Sequence, residues 1–271
     1  MDRAEIAAWA PDFTIRISSC TAMTPGWSPP RPIETHEVVL VRRGRFRVSS
    51  DGERLSPDPT LGYLLVPGRE HRVAHPAGDD VCTVITVGER LWHEITDGVP
   101  PPAVAVPVDG RLELTHRLLF RAARDLPSMT DHLVRILTLI SAASPRRALR
   151  ARRSAALADD ARTALLSAHP DATSLVRLAR TLGVSPAHLS RSFTAHCGMP
   201  LSRFRTRVRV SQALAHLEAG ARDLAALATT VGFADQAHLS RAVRAEVGLA
   251  PGRVRALFAR EPAGLDQRHE G

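Results

Sequence analysis

The sequence predicts an α+β protein: a small N-terminal β barrel or sandwich, a helical linker, and an all-helical C-terminal domain with two helix-turn-helix motifs. Three observations carry this. Short apolar runs broken by Gly, Pro and Asp fill residues 30–90, helical periodicity takes over after residue 110, and the pentamer AHLSR recurs at 187–191 and 237–241.

In the β-rich part, HEVVLV and RFRVSS flank Arg42-Arg43-Gly44, which reads as a hairpin turn, and SSDGER supplies a second turn. GYLLVPG and VCTVITVG are two further strands closed by glycine. The proline-rich DGVPPPAVAVPVDG (97–110) ends this pattern and reads as a linker. Leu112, Leu119, Ala123 and Leu126 then share one helical side, as do Leu133, Ile136, Leu137 and Ile140. That apolar surface either caps the β domain or pairs with a second copy of the chain. The expected boundaries are 1–105 for the β-rich sensing domain, 106–150 for the helical linker and dimerisation segment, 151–260 for the helical domain, and 261–271 for a disordered tail.

The charge is uneven. The whole chain carries +8, with no lysine, and the net charge is −3 over 1–100, +4 over 101–150 and +7 over 151–271. Surplus arginine at the C-terminal end favours a polyanionic partner. The N-terminus has no basic-then-apolar leader pattern, and no apolar run approaches the roughly 20 residues of a spanning helix. Cys20, Cys82 and Cys197 lack CxxC spacing and read as reduced thiols of a cytoplasmic protein, with a Cys20–Cys82 redox switch as the alternative.

The pentamer extends in both directions into a duplication. Leu175 to Gly183 and Leu224 to Gly232 are both eight steps, and His188 to Gly198 and His238 to Gly248 are both ten. Each copy reads as a short helix with a small crossing residue (Ala179, Ala228), a glycine stop (Gly183, Gly232), and an apolar turn residue (Val184, Phe233). Ser185 followed by Pro186, or Asp235, then caps a second helix. On it Leu189 and Phe193, or Leu239 and Val243, face inward. The opposite stripe holds Ala187, Ser190, Arg191 and Thr194, or Ala237, Ser240, Arg241 and Arg244.

A lone arginine on a helix is usually just solvated. Two matched copies are another matter, because such a stripe fits a major groove. Arginine can bridge guanine O6 and N7, Gln236 can pair with adenine, and alanine leaves room for a thymine methyl. Leu201–Ala219 reads as one connecting helix of nineteen residues, about 28 Å long, against the ~34 Å between successive major-groove faces. Some of Arg203, Arg205, Arg207 and Arg209 on it are expected to contact phosphate, and others to cover apolar surface with their stems.

From about Ala155 to Leu257 these residues resemble the AraC/XylS family of bacterial transcription regulators. GVSPAHLSRSF, GMPLSRF, Arg209-Val210 with Ala213, and GFADQAHLSRAV followed by GLAP carry the likeness. The chain departs from the family at Val254, where an aromatic residue is usual, and at Ala234, where a polar one is. The resemblance implies double-stranded DNA and RNA polymerase as partners and a small-molecule effector in the N-terminal domain; the homodimer is expected instead from the apolar surplus of residues 111–143. It implies base reading by Ala187, Ser190 and Arg191 and by Gln236, Ala237, Ser240 and Arg241, with His188, His238, Thr194 and Arg244 beside them. Effector-contacting residues are not assigned.

Glu37 to Gly44 and VPGREH (66–71) look like cupin segments, since the family often carries a cupin-like barrel. Metal-binding cupins place a His-x-His pair before that glutamate, where this chain has Arg31 and Ile33, leaving only His36, His71 and His75. No metal, cofactor or catalytic residue is therefore expected. The alternative is a cupin-type metal-dependent enzyme with an appended nucleic-acid-binding domain, and a third reading makes the helical repeats a protein-binding surface.

Overall fold

The structure, a computed structural model, describes residues 2–96, 105–122, 126–142 and 152–259. Of these, the residues within Met1–Ser144 and Ala256–Gly271 form one compact unit, and those within Pro145–Arg255 the other. The expected tail at 261–271 and the Pro-Arg-Arg stretch at 145–147 lie outside the described residues.

The first unit contains β1 (Asp2–Ala10), β2 (Phe13–Cys20), β3 (Arg31–Pro32), β4 (His36–Arg43), β5 (Arg47–Ser50), β6 (Glu53–Leu55), β7 (Leu61–Leu65), β8 (Glu70–Ala74) and β9 (Asp80–Val87). Helix α1 (Glu89–Thr96), strand β10 (Ala105–Pro107), and helices α2 (Gly110–Arg121) and α3 (Leu126–Ala142) follow. A six-stranded sheet, in the order β1-β2-β9-β4-β7-β10, faces a four-stranded sheet, β3-β8-β5-β6. Among the described strands the result is an open sandwich, not a closed barrel.

Alternation along the strands builds two cores. Val39, Val41, Tyr63, Leu65 and Cys82 point between the sheets, where Phe46, Val48 and Leu55 meet them. Ile15, Val38, Leu40, Leu64, Ile85 and Val87 point the other way and are covered by Trp92, Leu112, Leu119, Leu133, Ile136 and Leu137 of α1, α2 and α3. So the apolar stripe of α3 caps the sheet, one of the two uses expected for it. Helix α2 is started by Asp109, whose carboxylate accepts from the amides of Arg111 and Leu112 at 3.0 and 2.8 Å.

Several expectations are corrected. Arg42-Arg43-Gly44 is no hairpin, because β4 pairs with β7 and β9 while β5 pairs with β6 and β8 in the other sheet. With both edges of β4 occupied, the next strand has nothing to pair with there. The chain instead crosses between sheets at Gly44 (φ 79), where a Cβ would come within 2.7 Å of the Asp80 Cα. The next hairpin along the chain is β5–β6, at the expected SSDGER turn, made by Asp51 and Gly52, both at positive φ. Strands β1 and β2 extend the β region to the N-terminus, and β10 lies inside the proline-rich stretch, paired with β7. Leu126 does not continue the Leu112–Leu119 side; it opens α3 and is 48% exposed. Ala123 lies outside the described residues.

The second unit is helical, from α4 (Arg152–Leu166) through a short 3-10 turn (Pro170–Thr173), α5 (Leu175–Thr181), α6 (Pro186–Cys197), α7 (Leu201–Glu218), α8 (Leu224–Thr230) and α9 (Gln236–Val247) to the first residues of α10 (Pro251–Ala259), up to Arg255. Leu178, Leu189, Phe193, Phe204 and Val208 share one core with Ala158, Ala161 and Leu165 of α4. Val254, where the resemblance prefers an aromatic residue, is fully buried. Among the described residues no helix is long and apolar enough to cross a membrane.

Three imidazoles of the first unit are held neutral. Burial lowers His36, which stacks on Trp92 at 4.4 Å. Burial, with Arg31 nearby, lowers His71 to about 4, and burial, with Arg42 and Arg117, lowers His116 to about 3. His116 Nε2 lies 2.7 Å from Thr83 Oγ1. In the unfolded chain these groups protonate near pH 6.5. For His71 and His116 the stability they contribute is therefore complete above pH 6.5 and is lost as pH falls toward 4, at about 1.4 kcal/mol per pH unit for each of these two; His36 acts in the same direction. Trp9, Trp27 and Trp92 all lie in this unit, so tryptophan fluorescence reports its unfolding. The urea midpoint is expected to fall steadily from pH 7 to pH 5, whereas a flat profile would show that these imidazoles titrate normally.

Candidate nucleic-acid interface

The two copies of the repeat fold alike, down to individual backbone bonds. In the first, α5 buries Leu178 and Ala179 and stops at Gly183 (φ 68), and the Val184 amide turns back to the Ala179 carbonyl at 2.9 Å. In the second, α8 buries Leu227 and Ala228 and stops at Gly232 (φ 83), and the Phe233 amide reaches the Ala228 carbonyl at 2.8 Å. This closure satisfies orphan carbonyls at the helix end and needs a left-handed residue.

The second helix of each pair starts at the predicted cap. Ser185 Oγ accepts from the His188 amide at 3.2 Å, and Asp235 Oδ1 accepts from the His238 amide at 2.7 Å. Leu189 and Phe193, and Leu239 and Val243, are fully buried, so the opposite face turns outward. On α6, Ala187, His188 and Arg191 are exposed, and Ser190 and Thr194 are half-buried. On α9, Gln236, Ala237, His238, Arg241 and Arg244 are exposed, and Ser240 is half-buried. The guanidiniums of Arg191, Arg241 and Arg244 have no hydrogen-bond or ion-pair partner among the described residues. His238 packs edge-on against Phe233 at 5.0 Å, which makes it partly a turn residue.

Helix α7 joins the copies. Its 18 residues span about 27 Å, and Phe204, Val208, Val210, Leu214 and Leu217 are buried along it. The four alternating arginines separate into different roles. Arg203 is exposed, 3.8 Å from Glu246, while Arg207 is buried. Arg209 lies 5.9 Å from the Phe233 ring centroid and against Gly232, bracing the second turn. Two nitrogens of Arg205 are buried without a partner among the described residues, and burial together with Arg209 lowers its pKa. Sequence reasoning missed the bracing role of Arg209. Only the spacing of α7 against the second turn carries that signal, and the spacing emerges on folding.

In the first unit, the position where a cupin metal site would need histidine is filled differently. Arg31 grips the buried Glu37 with two bonds, of 3.1 and 2.8 Å. A guanidinium does not ligate a metal, and the glutamate is already neutralised, so these residues do not fit a metal at that position.

Residues 178–256 match the family model for a helix-turn-helix domain. A Streptomyces lividans protein named as an AraC-like transcription regulator is 28% identical over 263 residues, covering 89% of this chain and 84% of its own. The C-terminal region is an AraC-type DNA-binding domain. Among solved structures, an AraC-type regulator from Chromobacterium violaceum is 22% identical over 41% of this chain and 98% of its own, with a TM-score of 0.38. ToxT from Vibrio cholerae O395 is 10% identical over 92% and 99%, with a TM-score of 0.37.

Within the AraC-type domain the caps and turns decide whether the recognition helices hold. Removing either cap, Ser185→Ala or Asp235→Ala, is expected to cost about 1 kcal/mol of stability. Gly232→Ala should cost more, since it forces a side chain into the left-handed region and against Arg209. Urea unfolding followed by far-ultraviolet dichroism checks this. Equal stability of Gly232→Ala and the parent would mean that the turn is not built as described.

Proposed function

We propose that this DNA-binding regulator reads a specific operator with both copies of its repeat, in the cytoplasm, under the control of a small-molecule effector bound by the N-terminal domain. The observation that carries the reading is the matched pair of capped helices, each turning an unpaired arginine and small polar neighbours outward. Arg191 and Arg241 are the principal base readers, each reaching a guanine edge. Gln236 pairs with adenine, and Ala187, Ser190, Ala237 and Ser240 set the close fit of helix to groove. Thr194, Arg244, His188 and His238 flank these contacts.

Affinity comes mostly from arginine–phosphate contacts and falls steeply with salt. The protein acts by occupancy of a promoter and contact with RNA polymerase, not by catalysis. A second copy of the chain pairs through residues 106–150, where Leu126 and Val134 leave apolar surface open on α3.

A duplex selected from a random pool provides the cognate site for the test. Arg191→Ala and Arg241→Ala are each expected to reduce the preference for that site over random DNA by roughly 1–3 kcal/mol, or about 5- to 150-fold, at matched salt. If both variants keep the parental ratio, the reading residues are wrongly assigned.

A further inference from the structure

Three side chains with metal-ligating atoms converge at one end of the β sandwich, Cys20 being far along the sequence from His75 and Asp80. Cys20 closes β2, Asp80 opens β9, and the two are direct partners across that antiparallel pair. His75 follows β8, in the other sheet. A sulfur, an imidazole nitrogen and a carboxylate oxygen from these three residues all lie within 4.8 Å of one another. The group is enclosed: Cys20 is 4% and Asp80 2% exposed, and the His75 side chain 13%.

The backbone around them is fixed. Thr24 and His75 exchange both backbone hydrogen bonds at 2.8 Å, and the Cys20 thiol donates to the Ala22 carbonyl at 3.4 Å. The His75 ring stacks on Phe46, and its Nδ1 lies 2.7 Å from Asp80 Oδ2. Gly44 packs closely beside Asp80, where an added Cβ would come within 2.7 Å of the Asp80 Cα.

We propose that Cys20, His75 and Asp80 bind one Zn2+ ion. A thiolate, an imidazole and a carboxylate together suit zinc, whereas calcium and magnesium take oxygen ligands alone. Ligand bonds of about 2.3 Å to sulfur and 2.0–2.2 Å to nitrogen and oxygen place tetrahedral donors roughly 3.2–3.7 Å apart. The three atoms lie within 4.8 Å of one another, so binding requires the 2.7 Å His75–Asp80 contact to open and the Cys20 thiol to give up its bond to the Ala22 carbonyl. Binding releases the thiol proton, while the imidazole binds neutral and keeps its one N–H on the ring nitrogen that does not hold the metal. Three protein ligands leave a fourth position for water or a small ligand. The ion ties β2 and β9 of one sheet to the end of β8 in the other, so occupancy tightens the open sandwich. This site is separate from the Arg31–Glu37 position and does not depend on the reading of the DNA-binding domain.

The test uses full-length protein stripped with a chelator and titrated with Co2+, followed by displacement with Zn2+. One equivalent per chain is expected, with the near-ultraviolet thiolate-to-cobalt charge-transfer band and the visible bands of a tetrahedral ion. Cys20→Ser is expected to abolish the charge-transfer band, while Cys82→Ser and Cys197→Ser keep both band and affinity. Asp80→Asn and His75→Gln should weaken Zn2+ binding at least 10- to 100-fold, the loss found even for outer partners of a metal ligand. Tryptophan fluorescence checks that each variant is folded. Should Cys20→Ser fail to fold, the Asp80→Asn affinity decides. Lack of saturable uptake at micromolar metal, a band that survives Cys20→Ser or disappears in Cys82→Ser, or unchanged affinity in Asp80→Asn would each overturn the proposal.

Discussion

The second helix of each repeat owes its placement to one backbone bond made twice: an amide just past a left-handed glycine closing on the carbonyl of a buried alanine. Val184 to Ala179 and Phe233 to Ala228 are the same bond in the two copies. The alanine lets the helices cross closely, the glycine permits the turn, and the residue after it plugs the core. Once that angle is set, Leu189 and Leu239 are committed to the interior, and the opposite faces of α6 and α9 are committed to solvent. Everything chemical about the interface follows from which residues the helix period puts there.

The second constraint is the buried spine of α7. Phe204 and Val208 belong to the first copy's core, and Leu214 and Leu217 are buried toward the other end of the same rod. Packing of this kind resists bending, so the spacing between the copies is a property of one helix and not of a linker. Arginine crowding on α7 has a cost, because like charges stand four residues apart at Arg205 and Arg209.

What was legible in the sequence was local. Caps, glycine stops and the helix period act within a few residues, so Ser185, Asp235, Gly183 and Gly232 stood where they were expected, and α7 ran over nearly the expected length. Strand pairing is not local. The Arg42-Arg43-Gly44 turn looked like a hairpin because nothing in those residues records that β7 and β9 already occupy both edges of β4. Strand β10 was hidden in a proline-rich stretch, since Pro107 sits at the last position of an edge strand, where its missing donor is harmless. The Cys20, His75 and Asp80 cluster was equally invisible. Only the β2–β9 register and the sheet crossing bring it together, and no spacing in the chain encodes either.

The central claim is that one chain sets two recognition helices along the same side of a duplex. Hydroxyl-radical footprinting on a selected duplex, with a single chain bound per site, tests it most directly. Two protected patches on one face of the DNA, about 10 base pairs apart, are the expected result. A single patch, or two on opposite faces, would contradict the account.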